Sequence, residues 1–170
     1  NWISIAFVFI IIAISLKSFT LPILLVAAIE SAIIINMGTS YFTGTSLPFI
    51  ASIVIGTIQL GATVDYAILM TTRFKEEMVN GHNKYEAAQI AVYNCSQSIL
   101  TSGLTFFGAT VGVSFISKME LLQSICLLIA RGALYSMLVI IFVLPCFLIV
   151  FEGVISHTTK GWPKTKKESV

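Results

Sequence analysis

The sequence predicts an all-α protein, a polytopic membrane helix bundle with five transmembrane helices. Three observations predict this class: hydrophobic residues make up 56% of the 170 residues, charged residues make up only 11%, and the mean hydropathy is +0.94. A soluble domain carries roughly twice that share of charge. A chain of this length also has too much surface for its volume to hide so many apolar side chains from water. The composition therefore indicates that the protein is surrounded by lipid.

The apolar residues are collected into five runs, at about residues 2–16, 21–41, 47–71, 87–115 and 121–151. The later runs reach or exceed the ~20 residues that cross the hydrocarbon core of a bilayer, and the first, at the start of the sequence, is shorter. Because backbone groups in lipid must form hydrogen bonds within their own segment, each run is predicted to be a helix. Turn-forming or charged residues separate the runs at 17–18, 43–46, 73–86 and 117–118. We predict one transmembrane domain over residues 1–155 and a basic tail over residues 156–170.

The distribution of basic residues predicts the orientation. Five spans place the two ends of the chain on opposite sides of the membrane, and Lys and Arg in loops collect on the cytoplasmic side. One set of connections holds Lys118 alone, whereas the other holds eight basic residues, Lys17, Arg73, Lys75, Lys84, Lys160, Lys164, Lys166 and Lys167. We therefore expect a multi-pass protein of the cell membrane with its C-terminus in the cytoplasm. The connection over residues 74–89 is then cytosolic, either as a solvated, partly helical linker or as a docking surface for a cytosolic partner.

Three ionisable residues lie deep inside the predicted spans, namely Glu30, Asp65 and Arg131. Each costs at least ~2.5–3.5 kcal/mol at mid-membrane, so such residues usually face a bundle interior and serve a function. At ~1.5 Å of rise per residue, Asp65 lies roughly 12 Å from the cytosolic boundary. Glu30 lies roughly 14 Å and Arg131 about 15 Å from the boundaries where their spans enter the membrane. All three are therefore predicted close to the midplane of the ~30 Å core.

Asp65 is the strongest candidate for a functional residue. Gly61 and Ala62 lie one turn before it and leave space beside the carboxylate, and Tyr66 brings a hydroxyl to the same level. We interpret Asp65 as a carboxyl that gains and loses a proton. The simpler interpretation is a permanent ion pair with Arg131 that only holds helices together. Arg131 is either that counter-ion or an anchor for backbone carbonyls, and both roles are left open. As the counter-ion it would belong to the proton relay with Asp65, Tyr66, Thr101 and Thr105, and we include it among the predicted relay residues.

The fourth span carries a polar stripe. Seven residues fall within about 60° of one line along this helix, namely Asn94, Gln97, Ser98, Thr101, Thr105, Gly108 and Gly112. Small and hydroxyl residues in such a line can pack against another helix. They can also line a hydrated proton path facing Asp65, and Thr101 and Thr105 are the candidates for that path. Glu30 has no polar residues on its own helix face. We predict that it is an intramembrane acid, without a defined role.

Other kinds of site are not expected. Cys95, Cys126 and Cys146 lie inside apolar runs without the spacing of metal ligands. The sequence contains no nucleophile–base constellation and no phosphate-binding loop. We therefore predict no enzyme activity, no cofactor, no metal and no nucleic-acid partner.

Several motifs resemble those of one transporter group. The stretch Gly61–Leu69, which contains Asp-Tyr, is followed by Thr72–Glu77 with Arg-Phe-Lys-Glu-Glu; the later stretches are Ser98–Phe107, Ala130–Ala133 and Phe142–Pro145. Together they resemble the resistance-nodulation-division (RND) superfamily, in its mycobacterial-membrane-protein-large (MMPL) branch and the Gram-positive relatives of that branch. The resemblance covers nearly the whole chain.

The resemblance implies a proton-motive-force-driven exporter of lipids or amphiphilic compounds. Such transporters have two similar halves, each with one helix, a large extracytoplasmic domain and then five helices. The chain looks like the last five helices of the second, C-terminal half, which makes the other half, membrane lipids and an amphiphilic substrate its implied partners and leaves a homo-oligomer open. A non-pumping, sterol-sensing-like regulatory or lipid-binding domain shares this helical arrangement and is the alternative.

The resemblance also implies a proton relay through the Asp-Tyr pair, here Asp65 and Tyr66. Related drug pumps of the RND superfamily use two adjacent aspartates and a lysine. Asp65 has no acidic neighbour in the sequence. The mechanism of those pumps therefore does not transfer directly to this chain.

The predicted orientation can be tested with single cysteines in a variant that lacks Cys95, Cys126 and Cys146. Cysteines placed at Thr45 and Ser117 should react with a membrane-impermeant thiol reagent in whole cells, because both connections are predicted outside. A cysteine at Asn83 should react only after the cells are lysed. Labelling of position 83 in intact cells would reverse the predicted orientation.

Overall fold

A computed structural model describes residues 2–42 and 49–159 of the chain. The predicted connection at residues 43–46 lies outside the described residues, as do residues 160–170 of the predicted basic tail with their lysines. The helices are α1 (Trp2–Leu16), α2 (Thr20–Phe42), α3 (Phe49–Val79), α4 (Lys84–Ile116), α5 (Glu120–Leu138), α6 (Leu144–Val150) and α7 (Glu152–Thr158), and a π-helical turn (Val139–Val143) joins α5 to α6.

The all-α membrane bundle predicted from the sequence is confirmed, and the described residues contain no strand. Four helical stretches in the described part of the chain are long and apolar enough to cross a membrane, and they correspond to α2, α3, α4 and the continuous stretch Glu120–Val150. Helix α1 has 15 residues and is shorter than the ~20 that a full span needs. Large apolar side chains such as Phe115 and Ile116 are exposed, as expected of a surface that contacts lipid.

The connection between α3 and α4 is more helical than predicted. The third span was expected to end near residue 71, yet α3 continues to Val79 and α4 begins at Lys84. Beyond the apolar run, the Arg73 guanidinium contacts Glu76 at 3.0 Å and Glu77 at 3.1 Å, one turn further along the same helix. Pairs at this spacing stabilise a helix that has no lipid around it. We call this end of the molecule, with Arg73 and Lys84, the basic end.

The turn between α3 and α4 is short and specific. Gly81 has a φ of +95°, a left-handed conformation that glycine adopts without steric cost. The backbone N–H of Asn83 donates a hydrogen bond to Glu86 Oε2 at 3.3 Å, across the first turn of α4. The side chain therefore satisfies a backbone donor at the start of the helix.

One continuous apolar core holds the helices together, with α2 near its centre. Leu21, Leu25, Ala28 and Ile29 of α2 are fully buried. The same core extends to Phe74 at the basic end and includes residues of α1, α3, α4, the π turn and α6. A smaller cluster of Ile55, Leu128 and Ile129 joins α3 to α5. This packing fixes which faces of α3 and α4 remain uncovered.

The π turn accommodates Pro145. A proline inside a helix lacks an N–H, and its ring clashes with the carbonyl four residues earlier. That carbonyl belongs to Ile141, which lies inside the π turn, where the Leu144 N–H donates to Val139 O instead of to a closer residue. The wider turn lets the helical stretch continue through the proline.

Helix α7 lies beyond the predicted end of the fifth span and folds against the start of α2. Ile155 is fully buried. The hydroxyls of Thr20 and Thr158 are 2.7 Å apart, and the Thr159 hydroxyl donates to Ser18 Oγ at 2.8 Å. The end of the described chain is thereby attached to the bundle at the turn between α1 and α2.

Lys17 closes α1 in a left-handed conformation, with a φ of +49°. This conformation costs an L-residue about 1 kcal/mol or more, and β-branched residues tolerate it least. Lys17→Val should therefore be less stable than Lys17→Gly by about 1 kcal/mol, although both variants lose the same charge. The measurement is thermal unfolding of the purified full-length protein in detergent. Equal melting temperatures of the two variants would show that this backbone conformation does not affect the stability of the protein.

Candidate functional site

Asp65 lies near the middle of α3 on the outer surface of the described bundle. Its side chain is exposed, and it forms no hydrogen bond or ion pair with the residues that the structure describes. A Cβ at Gly61, one turn earlier, would meet nothing within 4 Å. The open space predicted beside the carboxylate is therefore present. Tyr66, the next residue, is half-buried and packs against the main apolar core.

The polar stripe of α4 also lies on the outer surface. It borders a shallow groove of about 350 Å³ lined by Asn94, Gln97, Ser98, Thr101 and Ser102. Among the described residues no helix covers the two stripe glycines, because a Cβ at Gly108 or Gly112 would meet nothing within 4 Å. If this stripe packs against a helix, that helix lies outside residues 2–42 and 49–159.

The two threonine hydroxyls predicted for the proton path are oriented by their own helix. Thr101 Oγ1 donates to the Gln97 carbonyl at 2.8 Å, and Thr105 Oγ1 donates to the Thr101 carbonyl at 2.7 Å. Each hydroxyl proton is thereby engaged, while the lone pairs of each oxygen remain able to accept a hydrogen bond from water. The stripe therefore presents a series of acceptors at fixed positions.

Asp65 and the α4 stripe lie at the same depth. Helices α3 and α4 run antiparallel, and Cys95 Sγ approaches the Leu69 carbonyl at 4.0 Å. Asp65 precedes Leu69 by four residues and Ile99 follows Cys95 by four, so each lies roughly 6 Å from that contact in the same direction. Asp65 is therefore level with Ile99. The neighbours of Ile99 on the groove, Ser98 and Thr101, are within one turn of this level.

Arg131 is not paired with Asp65. Its Nε donates to Asn36 Oδ1 at 3.2 Å, and its Nη2 donates to the Asn36 carbonyl at 3.2 Å and to Ser40 Oγ. Of the two roles left open by the sequence, the structure therefore contains the anchor for a backbone carbonyl and not the counter-ion of Asp65. Among the described residues, the hydrogen-bond partners of Arg131 belong to α2, so the guanidinium joins α5 to α2.

A buried polar network that the sequence did not predict surrounds Arg131. Asn36 Nδ2 donates to Gln59 Oε1 at 3.0 Å and to the Leu128 carbonyl at 3.1 Å. Gln59 Nε2 donates to the Gly132 carbonyl at 3.2 Å and to Ser136 Oγ at 2.9 Å. The network joins α2, α3 and α5. The available signal was an amide side chain in each of two apolar runs, because amides in lipid usually bond across helices.

Glu30 is half-buried in α2 and forms no hydrogen bond or ion pair with the described residues. Its role therefore stays undefined. Within residues 2–42 and 49–159, no three His, Cys, Asp or Glu side chains are grouped as metal ligands. The cysteines are not joined by a disulfide, and Cys95 and Cys126 are buried as apolar packing residues.

Comparisons with known proteins identify relatives of this chain. The model of the MMPL family matches residues 1–169. The chain is 33% identical over 124 residues to the membrane protein YdgH of Bacillus subtilis, an alignment that covers 66% of this chain and 14% of that protein. It is also 33% identical over 139 residues to the membrane protein SCO6666 of Streptomyces coelicolor, which covers 81% of this chain and 19% of the relative. The chain thus spans less than a fifth of the length of these relatives.

The buried network can be broken at Gly132. A Cβ there would lie 2.5 Å from Gln59 Oε1 and 2.6 Å from Asn36 Nδ2, so both amides would have to move. Gly132→Ala should lower the stability of the full-length protein by about 1–3 kcal/mol, measured as thermal unfolding in detergent. Gly108→Ala is the matched control, because its Cβ meets nothing and alanine is the better helix former. A Gly132→Ala protein as stable as the control would contradict the role of the network.

Proposed function

Because the chain belongs to the MMPL family of membrane proteins, we propose that it is the transmembrane portion of an exporter driven by the proton-motive force. Lipids or other amphiphilic compounds are the proposed substrates. The observation that carries the proposal is Asp65, an exposed carboxyl near the middle of a spanning helix with no partner among the described residues. A carboxyl that only holds helices together needs a partner, whereas one that exchanges a proton needs access.

The proposal requires that something covers Asp65 and the α4 stripe. A carboxylate facing lipid at mid-membrane costs at least ~2.5–3.5 kcal/mol, and unpaired polar groups add to that cost. We propose that the face with Asp65, Thr101 and Thr105 meets the other half of the same transporter across a hydrated seam. The greater length of the two relatives leaves room for such a second half.

In this proposal Asp65 is the proton carrier. A proton that enters the seam neutralises the carboxylate, and the neutral form has less need of polar contacts, so the two halves can move against each other. The Tyr66 hydroxyl and waters that donate to Thr101 Oγ1 and Thr105 Oγ1 complete the path. Release of the proton on the other side restores the charge. Arg131 positions α5 against α2 and does not exchange protons with Asp65.

The asymmetry of basic residues supports an orientation for the cycle. Arg73, Lys75 and Lys84 lie at the basic end, which we propose faces the cytosol of a cell-membrane protein. Protons would then load from outside and leave at the basic end, while substrate moves outward.

Asp65→Asn tests the proton carrier directly. Asparagine matches the shape of the protonated carboxyl but cannot release a proton, so the full-length protein should fold normally and lose transport. Tyr66→Phe should cause a milder loss, because other hydroxyls can hold the water chain. Export is measured in vesicles under an imposed pH gradient, with melting temperature and protein level recorded. Transport by Asp65→Asn at the wild-type rate would end the proposal, and failure to fold would favour a structural role.

Flux that is independent of the gradient in the wild type would favour the non-pumping regulator.

The α4 stripe has its own test. Thr101→Val combined with Thr105→Val removes both acceptors and should slow turnover without changing the melting temperature. Thr110→Val is the matched control: its hydroxyl also donates to a backbone carbonyl of α4, that of Phe106 at 2.8 Å, but it lies outside the stripe. Equal transport by the double variant and the control would remove the stripe from the proton path.

A further inference from the structure

A second groove lies on the side of α4 opposite to the polar stripe. It encloses about 540 Å³ between the first third of α4 and the stretch from the π turn through α6. Its positions on α4 run from Tyr85 to Ser96, and at 100° per residue they point away from the line through Asn94, Thr101 and Thr105.

The walls of the groove are apolar. Val92 and Tyr93 of α4 line one side, and Ile141, Phe142, Pro145 and Ile149 line the other. The π turn contributes directly, because Ile141 and Phe142 lie within it. Tyr93 and Phe142 are strongly exposed, so an apolar ligand would cover them. A wider helical turn next to a groove is a common feature of binding sites.

The groove crosses the predicted boundary of the membrane. The eleven residue steps from Tyr85 to Ser96 along α4 correspond to roughly 16 Å. The contact between Cys95 and Leu69 places Ala91 level with Arg73, where the third span is predicted to leave the lipid. About half of the groove therefore lies in the hydrocarbon core and about half at the level of the head groups.

A cation lies at the mouth of the groove. Lys84 Nζ is 5.3 Å from the ring centroid of Tyr85, which lines the groove. No carboxylate of the described residues lies within 4.0 Å of this ammonium. The nearby Glu86 carboxylate instead accepts from the Asn83 N–H and approaches His82 at 3.6 Å. No carboxylate among the described residues therefore neutralises the charge of Lys84, and that charge can attract an anionic head group.

We infer that this groove binds one anionic phospholipid, with an acyl chain between α4 and α6 and its phosphate at Lys84. Tyr85 and Gln89, at the same end, supply polar atoms at the level of the head group. The site is separate from Asp65 and the stripe, and it does not depend on proton-driven export. Its occupant is a lipid held in place and not the transported compound.

The test uses the full-length protein in nanodiscs of phosphatidylcholine. Trace phosphatidylglycerol or phosphatidylcholine with a photoreactive acyl chain is added, and labelled peptides are identified by mass spectrometry. The phosphatidylglycerol probe should label residues 85–96 and 141–149 above all other exposed apolar faces, and the phosphatidylcholine probe should not.

Two pairs of variants test the contribution of the acyl chain and that of the head group separately. Val92→Trp fills the groove and should abolish the selective labelling, whereas Val113→Trp, the same change at an exposed position outside the groove on α4, should leave it intact. Lys84→Gln should reduce phosphatidylglycerol labelling to the phosphatidylcholine level, and Lys118→Gln should not. Uniform labelling of all apolar faces would overturn the site. Equal labelling by both lipids in the wild type would overturn its anionic selectivity, and no labelling of the groove would show that protein covers it.

Discussion

The hydrogen bond between Asn36 and Gln59 determines how the centre of this bundle is arranged. Each amide also reaches α5, so three helices are fixed by one pair of side chains. Apolar packing alone has little preference for register within lipid, because lipid tails are as apolar as the side chains. The amides supply that register. The same pair of amides requires glycine at position 132, because only a residue without a Cβ leaves room for both side chains.

The same network explains why Asp65 has no counter-ion among the described residues. Arg131 is the one cation predicted at the depth of Asp65, and its donors are engaged by Asn36 and Ser40 of α2. The polar groups between α2, α3 and α5 are paired with one another and hold the structure, whereas Asp65 on α3 and the polar stripe on α4 are left for water or for another part of the protein.

The hydropathy pattern predicted the helices well. It did not predict features that depend on ion pairs, on the direction a side chain faces or on contacts between helices. Helix α3 extends past its apolar run because ion pairs such as Arg73–Glu77 support it. Helix α4 begins before its apolar run, where Glu86 caps the Asn83 N–H. Apolar content reports neither interaction. Counting residues along each span gave the depths of Asp65 and Arg131. Depth does not say which neighbouring helix a side chain faces, so the sequence could not show that Asp65 and Arg131 are not paired. The π turn depends on the surroundings of Pro145, and the amide network depends on contacts between helices distant in sequence.

The attachment of α7 has a consequence for the order of assembly. The Thr20 hydroxyl bonds to that of Thr158, 138 residues later in the chain. Synthesis proceeds from the N-terminus, so α1 and α2 are made long before their partner exists. The turn between them cannot reach its final state until the last described helix has been made. Among the described helices, closure at Ser18 and Thr20 therefore comes after α7 has been made, and without α7 these two hydroxyls would lack the partners that they have here.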